Sequence, residues 1–386
     1  KTIHNMPETY YKRKYRRKSE ISFNATENDL MNWEDRTALH WGRILNPDSK
    51  SKAILFSSGT ASNESVLKAI VDDGAESVYI HPYWYCENVP TAEAVFNNST
   101  TRLSAVDTLL INLEPTNYFS FSDEVSVEDT IKQFIQNAAE NTSKPRYLVI
   151  DSTVNPLFSI KDSMGQDLPS NLRVIKTISV SKHQDGGRNY FFGVAHTQDH
   201  TLSNLITERQ PGSFGSLYES HRIHFPRPSA MWLAEKRLRV ARLNNEIAEV
   251  SQSSTGWMIE PHSYHSFVFP PRILLESIVE EGSILTTGEL ESRMKVVNER
   301  LFDICRETLE VYSSNSFEMG DSFGLPQTRI SIQGGLNTLN GVKFRLKLPR
   351  VCPGYNTEAD ELKEVVTTLM QKLNESSLNL RNTIIE

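Results

Sequence analysis

Five short apolar runs, each followed by small or polar residues and then a helical pattern, constrain the fold of this chain more than any other feature. They comprise residues 53–56, 77–80, 108–113, 146–150 and 174–180. Runs rich in β-branched residues predict buried strands, and their alternation with helices predicts a mostly parallel sheet covered on both faces. A sixth strand is predicted at residues 190–192. We expect an α/β fold that binds its ligand outside the carboxyl ends of the strands.

The second half of the chain predicts a smaller domain of a different class. A long amphipathic helix at residues 229–251 has the length of a connector between domains. After it come strands and helices, at residues 265–269, 287–312, 329–332, 342–346 and 357–374. The segment after Asn374 is too polar to assign. Because the chain exceeds one ordinary domain, we predict three parts: an N-terminal arm and helix at 1–50, a large domain at 51–240 and an α+β C-terminal domain at 241–386.

Composition and charge exclude several classes of protein. The net charge of −7 argues against a general nucleic-acid coat, and the chain has no apolar run long enough to span a membrane. Its three cysteines, Cys86, Cys305 and Cys352, favour a reducing compartment. We therefore expect a soluble cytoplasmic protein with no membrane partner and no metal site. The basic stretch at residues 10–18 allows contact with phosphate, nucleic acid or a neighbouring subunit, and a solvated arm is the simpler interpretation.

The segment Ser179-Val180-Ser181-Lys182 ends the fifth predicted strand. A lysine at the end of a buried strand can be desolvated, which favours a nucleophilic amine. The same residues also fit an ordinary strand end whose lysine extends into solvent.

Three other strand ends carry residues suited to chemistry. Ser58-Gly59-Thr60 leads directly from a strand into a helix, and free N–H groups at a helix N-terminus bind anions. This turn has neither a P-loop lysine nor the glycine spacing of a dinucleotide site. Asp151 directly follows the fourth strand, where it either faces the ligand crevice or caps a turn. The aromatic segment that ends at Tyr85 offers a face on which a planar ring can stack.

In this order the segments resemble the fold-type-I pyridoxal phosphate enzymes, and most closely a divergent member of the cystathionine γ-synthase/γ-lyase family of Cys/Met metabolism. Ser58-Gly59-Thr60-Ala61 resembles the family's Ser-Gly-Met-Ala phosphate turn, and Tyr85 falls at the position of its cofactor-stacking tyrosine. The remaining matches are to Glu-Ser-Pro-x-Asn-Pro, Asp-Asn-Thr, Ser-x-Thr-Lys-Tyr and Val-Arg-Leu-Ser. They fall on Glu114-Pro115-Thr116-Asn117, which is one residue short, Asp151-Ser152-Thr153, Ser179-Val180-Ser181-Lys182-His183 and Phe344-Arg345-Leu346-Lys347.

The resemblance implies pyridoxal 5′-phosphate as the cofactor and a role for each matched residue. Lys182 would hold the cofactor as a Schiff base and act as the base at the substrate Cα, and Asp151 would bind the pyridine nitrogen. Tyr85 would stack on the ring and pass a proton to the leaving group. The other implied cofactor contacts are Ser58, Gly59, Thr60, Asn117, Thr153, Ser179 and Ser181. Arg345 would bind the substrate α-carboxylate.

The chain departs from the family at three places. The Ser-Leu-Gly motif of the family's substrate pocket is matched only by Ser322-Phe323-Gly324, which lies out of register. The family's Tyr-x-Arg, which reaches the phosphate of a neighbouring subunit, has only loose counterparts. Of these, Trp41-Gly42-Arg43 lies in a predicted helix at residues 29–46. Arg43 is a candidate for the phosphate contact, while the helical spacing makes Trp41 a core residue. After Tyr85 the family has two glycines where this chain has Cys86-Glu87, which puts the usual sulfur substrate in question.

These observations predict a pyridoxal phosphate lyase or replacement enzyme that acts on an amino acid with a γ- or β-leaving group. By analogy with the family, we expect a homodimer or homotetramer with shared active sites. Two alternatives stay open. One is a cysteine-desulfurase-like enzyme or an aminotransferase of the same fold, and the other is a nucleic-acid- or partner-binding protein on a degenerate cofactor fold.

Overall fold

The computed structural model describes residues 27–47, 51–84, 89–96, 98–99, 102–115, 126–164, 167–183, 193–210, 229–251, 256–312, 317–320, 327–334 and 337–385. Within them the helices are α1 (Glu27–Leu45), α2 (Gly59–Asp72), α3 (Val89–Val95), α4 (Val127–Glu140), α5 (Ile160–Met164), α6 (His200–Glu208), α7 (Ala230–Ser251), α8 (Arg272–Gly282), α9 (Thr287–Val311) and α10 (Ala359–Ile385). The strands are β1 (Ile54–Phe56), β2 (Ser77–Ile80), β3 (Asn98–Ser99), β4 (Thr108–Asn112), β5 (Arg146–Asp151), β6 (Leu172–Ser179), β7 (Gly193–Thr197), β8 (Met258–Pro261), β9 (Ser266–Phe269), β10 (Phe317–Met319), β11 (Thr328–Gln333), β12 (Asn337–Leu339), β13 (Val342–Phe344) and β14 (Leu348–Cys352). Short 3₁₀ turns follow at Leu103–Ala105 and Val180–Lys182.

The first half of the chain builds a seven-stranded sheet in the order β1-β7-β6-β5-β4-β2-β3. The neighbours from β6 to β3 pair in parallel, whereas β7 is antiparallel to both β6 and β1. Every residue of β4 is buried, as is β5 from Arg146 to Ile150, because helices cover the sheet. Burial of each aliphatic side chain in such a run contributes about 1.5–3 kcal/mol. The carboxyl ends of β1, β4, β5 and β6 therefore lie along one edge of a rigid sheet.

A second sheet, in the order β10-β11-β14-β9-β8, forms the C-terminal part of the structure. One hydrophobic cluster joins this sheet to α8, α9 and α10, and it includes Leu243 and Ile247 from the second half of α7. Leu233, in the first half of α7, packs instead with Trp41, Ile178 and Val180 beside the seven-stranded sheet. Helix α7 thus contributes side chains to both cores.

Most of the predicted elements are confirmed. Helix α2 begins at Gly59, directly in the predicted turn, and Trp41 is a core residue with 2% of its surface exposed. The predicted strand at residues 190–192 lies outside the described residues. Strand β7 begins at Gly193, next to that segment. Helix α10 continues to Ile385, through the tail that the sequence left unassigned. Among the described residues, every helix is too short or too polar to cross a lipid bilayer.

Candidate functional site

Strands β5 and β6 bring Asp151 and Lys182 to the same edge of the sheet. The two strands pair in parallel, with Asp151 opposite Thr177. The chain leaves β6 at Ser179 and forms the 3₁₀ turn that carries Lys182. Within this turn Val180 is buried against Trp41, which anchors the turn to the core. The positive charge of Lys182 acts on the Asp151 carboxyl, so the two groups lie close enough to interact.

The Asp151 carboxylate lies among protein atoms and hydrogen-bond donors. Burial raises its pKa above the usual range, although hydrogen bonds from Thr153 and Asn63 and the charge of Lys182 act in the opposite direction. The Thr153 N–H donates to Asp151 Oδ1 at 3.0 Å. A desolvated carboxylate with a raised pKa is stabilised by any cation that reaches it, and a protonated heterocyclic nitrogen is one such cation.

Thr153 connects three parts of the site. Besides donating to Asp151, its hydroxyl oxygen accepts the Ser179 N–H at 2.9 Å, where β6 ends. Its carbonyl oxygen lies 2.7 Å from Nε2 of His183, the residue after Lys182. Thr153 is buried, so these bonds are shielded from water. Thr153 therefore supports both Asp151 and the turn that carries Lys182.

His183 is fully buried beneath this turn. Burial lowers its pKa to about 3, and the neighbouring charge of Lys236 contributes in the same direction. The ring is therefore neutral near pH 7, and Nε2 donates its proton to the Thr153 carbonyl oxygen. The edges of Trp41 and Tyr264 surround the ring at centroid distances of 6.4 and 6.3 Å. His183 thus fixes the main chain next to Lys182 as an uncharged hydrogen-bond donor.

The turn before α2 is pressed against the ends of β6 and β7. Ser58 caps the helix, and its hydroxyl oxygen accepts the Ala61 N–H at 3.0 Å. A Cβ at Gly59 would lie 2.7 Å from Ser179 Cβ, and one at Gly193 would lie 2.2 Å from the Ser58 carbonyl oxygen. Only glycine permits this approach. The start of α2 therefore lies beside the Ser179 side chain, and the N–H groups of Gly59 and Thr60, which come before the capped Ala61 N–H, are of the kind that can bind an anion.

Several predicted site residues lie outside the described part of the chain. These are Tyr85 and Asn117, together with the side chain of Ser181 and the basic stretch at 10–18. Thr60 is exposed in the first turn of α2, and Arg43 is exposed in the last turn of α1. The assignment of Arg43 to a neighbouring subunit's phosphate stays a prediction.

The structure does not bring Arg345 to the site. Its side chain is 70% exposed and extends toward Glu291 of α9, with 4.0 Å between Nε and Oε1. Asn298 of α9 donates to the Arg345 carbonyl oxygen at 2.8 Å. This position follows from the sequence, because Arg345 comes after the short strand β13 and alternates with the buried Phe344 and Leu346.

Arg350 is a second arginine that the sequence reasoning missed. It is buried in β14, in register with Phe267 of β9. Its charge is the second cause, after burial, of the lowered pKa of His265, which directly precedes β9. Two residues further along the same strand, Cys352 packs in a cluster with Val154, three residues after Asp151. Since alternate residues of a strand share a face, Arg350 lies on the same side of β14 as Cys352 and therefore on the side of Val154.

Two buried asparagines were also missed. Asn63, in the second turn of α2, hydrogen-bonds to Asp151, and its own Oδ1 has no hydrogen-bond partner. Asn112 ends β4 directly opposite Asp151, and its Oδ1 is likewise buried without a partner. A buried polar atom without a partner is uncommon and often marks a ligand site. A polar residue at a strand end was the available signal for Asn112, whereas nothing local distinguished Asn63.

The residues at this edge fit pyridoxal phosphate chemically. The N-terminus of α2 suits a phosphate group, the desolvated Asp151 carboxylate suits a protonated ring nitrogen, and the Lys182 amine suits an aldehyde. Asn63 hydrogen-bonds to Asp151 and Asn112 is its register partner on β4, and both asparagines have a buried Oδ1 without a partner. These groups lie at the carboxyl edge of a mixed sheet in which β7 is antiparallel to its neighbours.

Comparison with solved structures finds two similar chains. The structure is similar to a cystathionine γ-synthase from Xanthomonas oryzae pv. oryzae solved in complex with cystathionine, with a TM-score of 0.52 and 12% identity over 92% of each chain. An apo methionine γ-lyase from Micromonospora echinospora gives a TM-score of 0.48 and 13% identity, covering 86% of this chain and 83% of that one. The sequence matches no protein-family model and no curated protein. The likeness to the cystathionine γ-synthase supports the predicted α/β fold.

Proposed function

We propose that this protein is a pyridoxal phosphate enzyme that eliminates or replaces a γ- or β-substituent of an amino acid. The observation that carries the proposal is the placement of Lys182 beside Asp151, at the same sheet edge as the N-terminus of α2. The fold likeness to a cystathionine γ-synthase supports the fold on which this chemistry occurs.

When bound, pyridoxal phosphate supplies an electron sink that stabilises negative charge at the substrate Cα. The protein residues supply binding and proton transfer. The N–H groups at the start of α2 would bind the phosphate, and the Asp151 carboxylate would keep a proton on the pyridine nitrogen. Lys182 would hold the cofactor through its side-chain amine and, as a free amine, would remove the Cα proton of the substrate.

The substrate carboxylate requires a cation near these groups. Arg345 was predicted for this role, but the burial of Arg350 and its place on the side of β14 toward Val154 favour Arg350. A guanidinium binds a carboxylate through two parallel hydrogen bonds, which orients the Cα–H bond toward Lys182. Tyr85 is proposed to pass a proton to the leaving group, and Arg43 to reach the phosphate of a neighbouring subunit in a homodimer or homotetramer.

The cofactor assignment is tested by loading the purified protein with pyridoxal phosphate and reducing it with borohydride. Reduction fixes the cofactor on the lysine that carries it, and peptide mass spectrometry then locates the adduct. We expect stoichiometric labelling of Lys182 and none in Lys182→Ala. The matched control is Lys295→Ala, which removes a largely exposed lysine of α9 and should label normally. Label spread over surface lysines, or retained in Lys182→Ala, contradicts the proposal.

The reaction class is tested with a panel of β- and γ-substituted amino acids, with products identified by mass spectrometry. A 2-oxo acid together with the released substituent indicates elimination, and exchange of the substituent for an added nucleophile indicates replacement. Alanine formed from cysteine would identify a desulfurase instead. Amino transfer to a 2-oxo acid would identify an aminotransferase.

A further inference from the structure

We propose that Lys236 is a positioning residue for Lys182, which it supports through the main chain and through its own positive charge. This inference rests on the proposed function of Lys182. Lys236 lies in the second turn of α7, and only 4% of its surface is exposed. Its Nζ donates a hydrogen bond of 3.0 Å to the carbonyl oxygen of Lys182.

Two aromatic rings hold the Lys236 ammonium group in place. Nζ lies 5.0 Å from the ring centroid of Trp232 and 4.8 Å from that of Tyr355, and the two rings pack edge to face. Burial of an ammonium group is costly unless hydrogen bonds or cation–π contacts compensate it. Both kinds of contact meet at this nitrogen, so its position relative to Lys182 is well defined.

The turn that carries Lys182 needs support of this kind. It is a single 3₁₀ turn, closed by a hydrogen bond of 2.8 Å from the His183 N–H to the Val180 carbonyl oxygen. Lys236 donates to the main-chain carbonyl oxygen of Lys182, and the Thr153 carbonyl oxygen accepts a hydrogen bond from the side chain of the next residue, His183. These two contacts fix the main chain on both sides of the bond between residues 182 and 183. Loss of either contact leaves this peptide held by fewer bonds, the 3₁₀ hydrogen bond among them, and the Lys182 side chain less well directed.

The contact also links the anchor lysine to the C-terminal part of the structure. Tyr355 follows β14 and packs at the cluster formed by Cys352, Val154 and Tyr264. Lys236 therefore connects the end of β6 with the loop beyond β14. A shift of that loop would change the support of Lys182 without any direct contact between the two.

The charge of Lys236 adds a second effect. Within the part of the chain that the structure describes, the charged or titratable groups shown to act on Lys182 or to contact it include Asp151 from β5, the neutral His183 and, at its carbonyl oxygen, Lys236 from α7. The carboxylate favours a proton on the nitrogen that Lys182 contributes, whereas a nearby ammonium group disfavours it. The position of Lys236 thus opposes the effect of Asp151.

The test uses holoprotein and follows the pH at which the visible absorbance of the bound cofactor changes. In Lys236→Met we expect this midpoint to rise by about half to one pH unit, because a like charge is removed. Lys236→Gln keeps a hydrogen-bond donor without the charge and should shift in the same direction. Lys236→Arg keeps both and should restore the wild-type midpoint. Lys132→Met, which removes an exposed lysine of α4, is the matched control.

The outcomes separate this inference from the proposed function. If wild-type protein binds pyridoxal phosphate on Lys182 but Lys236→Met and Lys236→Gln titrate like wild type, the role of Lys236 is refuted while the cofactor assignment stands. If wild-type protein shows no cofactor absorbance, the proposed function fails and this inference fails with it. The role of Lys236 is supported if the midpoint pH rises in Lys236→Met and Lys236→Gln and returns to the wild-type value in Lys236→Arg. A general loss of stability would not depend on the charge of the substituted side chain in this way.

Discussion

The close packing of Gly59 against Ser179 predicts that Gly59→Ala damages the anion site. The new Cβ would lie 2.7 Å from Ser179 Cβ, whereas carbon atoms in contact are separated by about 3.5–4.0 Å. The turn and β6 must therefore separate by about 1 Å. Ser179 cannot easily yield, because its N–H is bonded to Thr153 and it pairs with Gly193.

The expected magnitude combines two opposing contributions. Overpacking of this kind costs about 1–3 kcal/mol, and the higher helix propensity of alanine over glycine offsets up to about 1 kcal/mol. We expect the free energy of unfolding of the apoprotein to fall by about 1–2 kcal/mol in urea titrations. Because the N–H groups that face the phosphate move with the turn, affinity for pyridoxal phosphate should fall at least about tenfold, equivalent to about 1.4 kcal/mol.

Gly288→Ala is the matched control for this substitution. Gly288 lies in the first turn of α9, and no atom lies within 4 Å of its added Cβ. This variant should unfold at or slightly above the wild-type urea concentration and bind the cofactor normally. Wild-type cofactor affinity in Gly59→Ala would refute the assignment of this turn to the phosphate, whatever its effect on stability.

Three further predictions concern buried charged or titratable groups. Asp151→Asn should weaken pyridoxal phosphate binding at least about tenfold. The apoprotein should be at least as stable to urea at pH 7, because a desolvated carboxylate is removed and the free Oδ1 of Asn63 can accept a hydrogen bond from the new amide. An apoprotein destabilised by several kcal/mol would contradict this reasoning. The pKa of His183 is lowered to about 3 in the folded state, so the unfolded chain binds the proton first as the pH falls below about 6.5, and the free energy of unfolding decreases. In His183→Gln the free energy of unfolding should fall less steeply with decreasing pH, by up to about 1.4 kcal/mol per pH unit between about pH 6 and 4. Equal slopes of unfolding free energy against pH for both proteins would rule this out. In steady-state kinetics with an amino acid that the enzyme converts, Arg350→Gln should raise KM by about 10–100-fold, as for the loss of a charge-assisted hydrogen-bonded pair. Arg345→Gln should leave KM unchanged. The reverse pattern would favour Arg345 as the residue that binds the substrate carboxylate.

The central strands β4 and β5 were the easiest to predict, because they are buried along nearly their whole length. A strand covered by helices on both sides must be apolar along its whole length, and the run at residues 146–150 agrees with β5 to within one residue. The end of α10 could not be predicted in the same way. Beyond Asn374 its buried positions are Ser376, Leu380 and Ile384, one on each turn of an otherwise polar helix. So narrow an apolar stripe becomes visible only when the partner surface is known.

In the candidate site, too, some residues could be predicted from the sequence and others could not. Asp151 and Lys182 could be predicted because a residue at the end of a parallel strand has a defined place in the fold. Their supports could not, because the contacts join residues 26, 30 and 54 positions apart in the chain. The arginine proposed to bind the substrate carboxylate could not be chosen from the local sequence. Arg345 and Arg350 both precede an aliphatic residue, and only the burial of β14 distinguishes one from the other.

The three bonds made by Thr153 have a consequence for how this site tolerates substitution. One residue serves the carboxylate of Asp151, the end of β6 through Ser179 and the turn of Lys182 through His183. Two of these bonds use main-chain atoms of Thr153 and survive any side chain at that position, whereas the bond from the Ser179 N–H needs the Thr153 hydroxyl. Residues in one hydrogen-bond network have non-additive effects when they are changed, but a substitution at position 153 reaches this network only through the hydroxyl. Serine, which keeps the hydroxyl, should therefore be tolerated at position 153 better than valine, which keeps the shape.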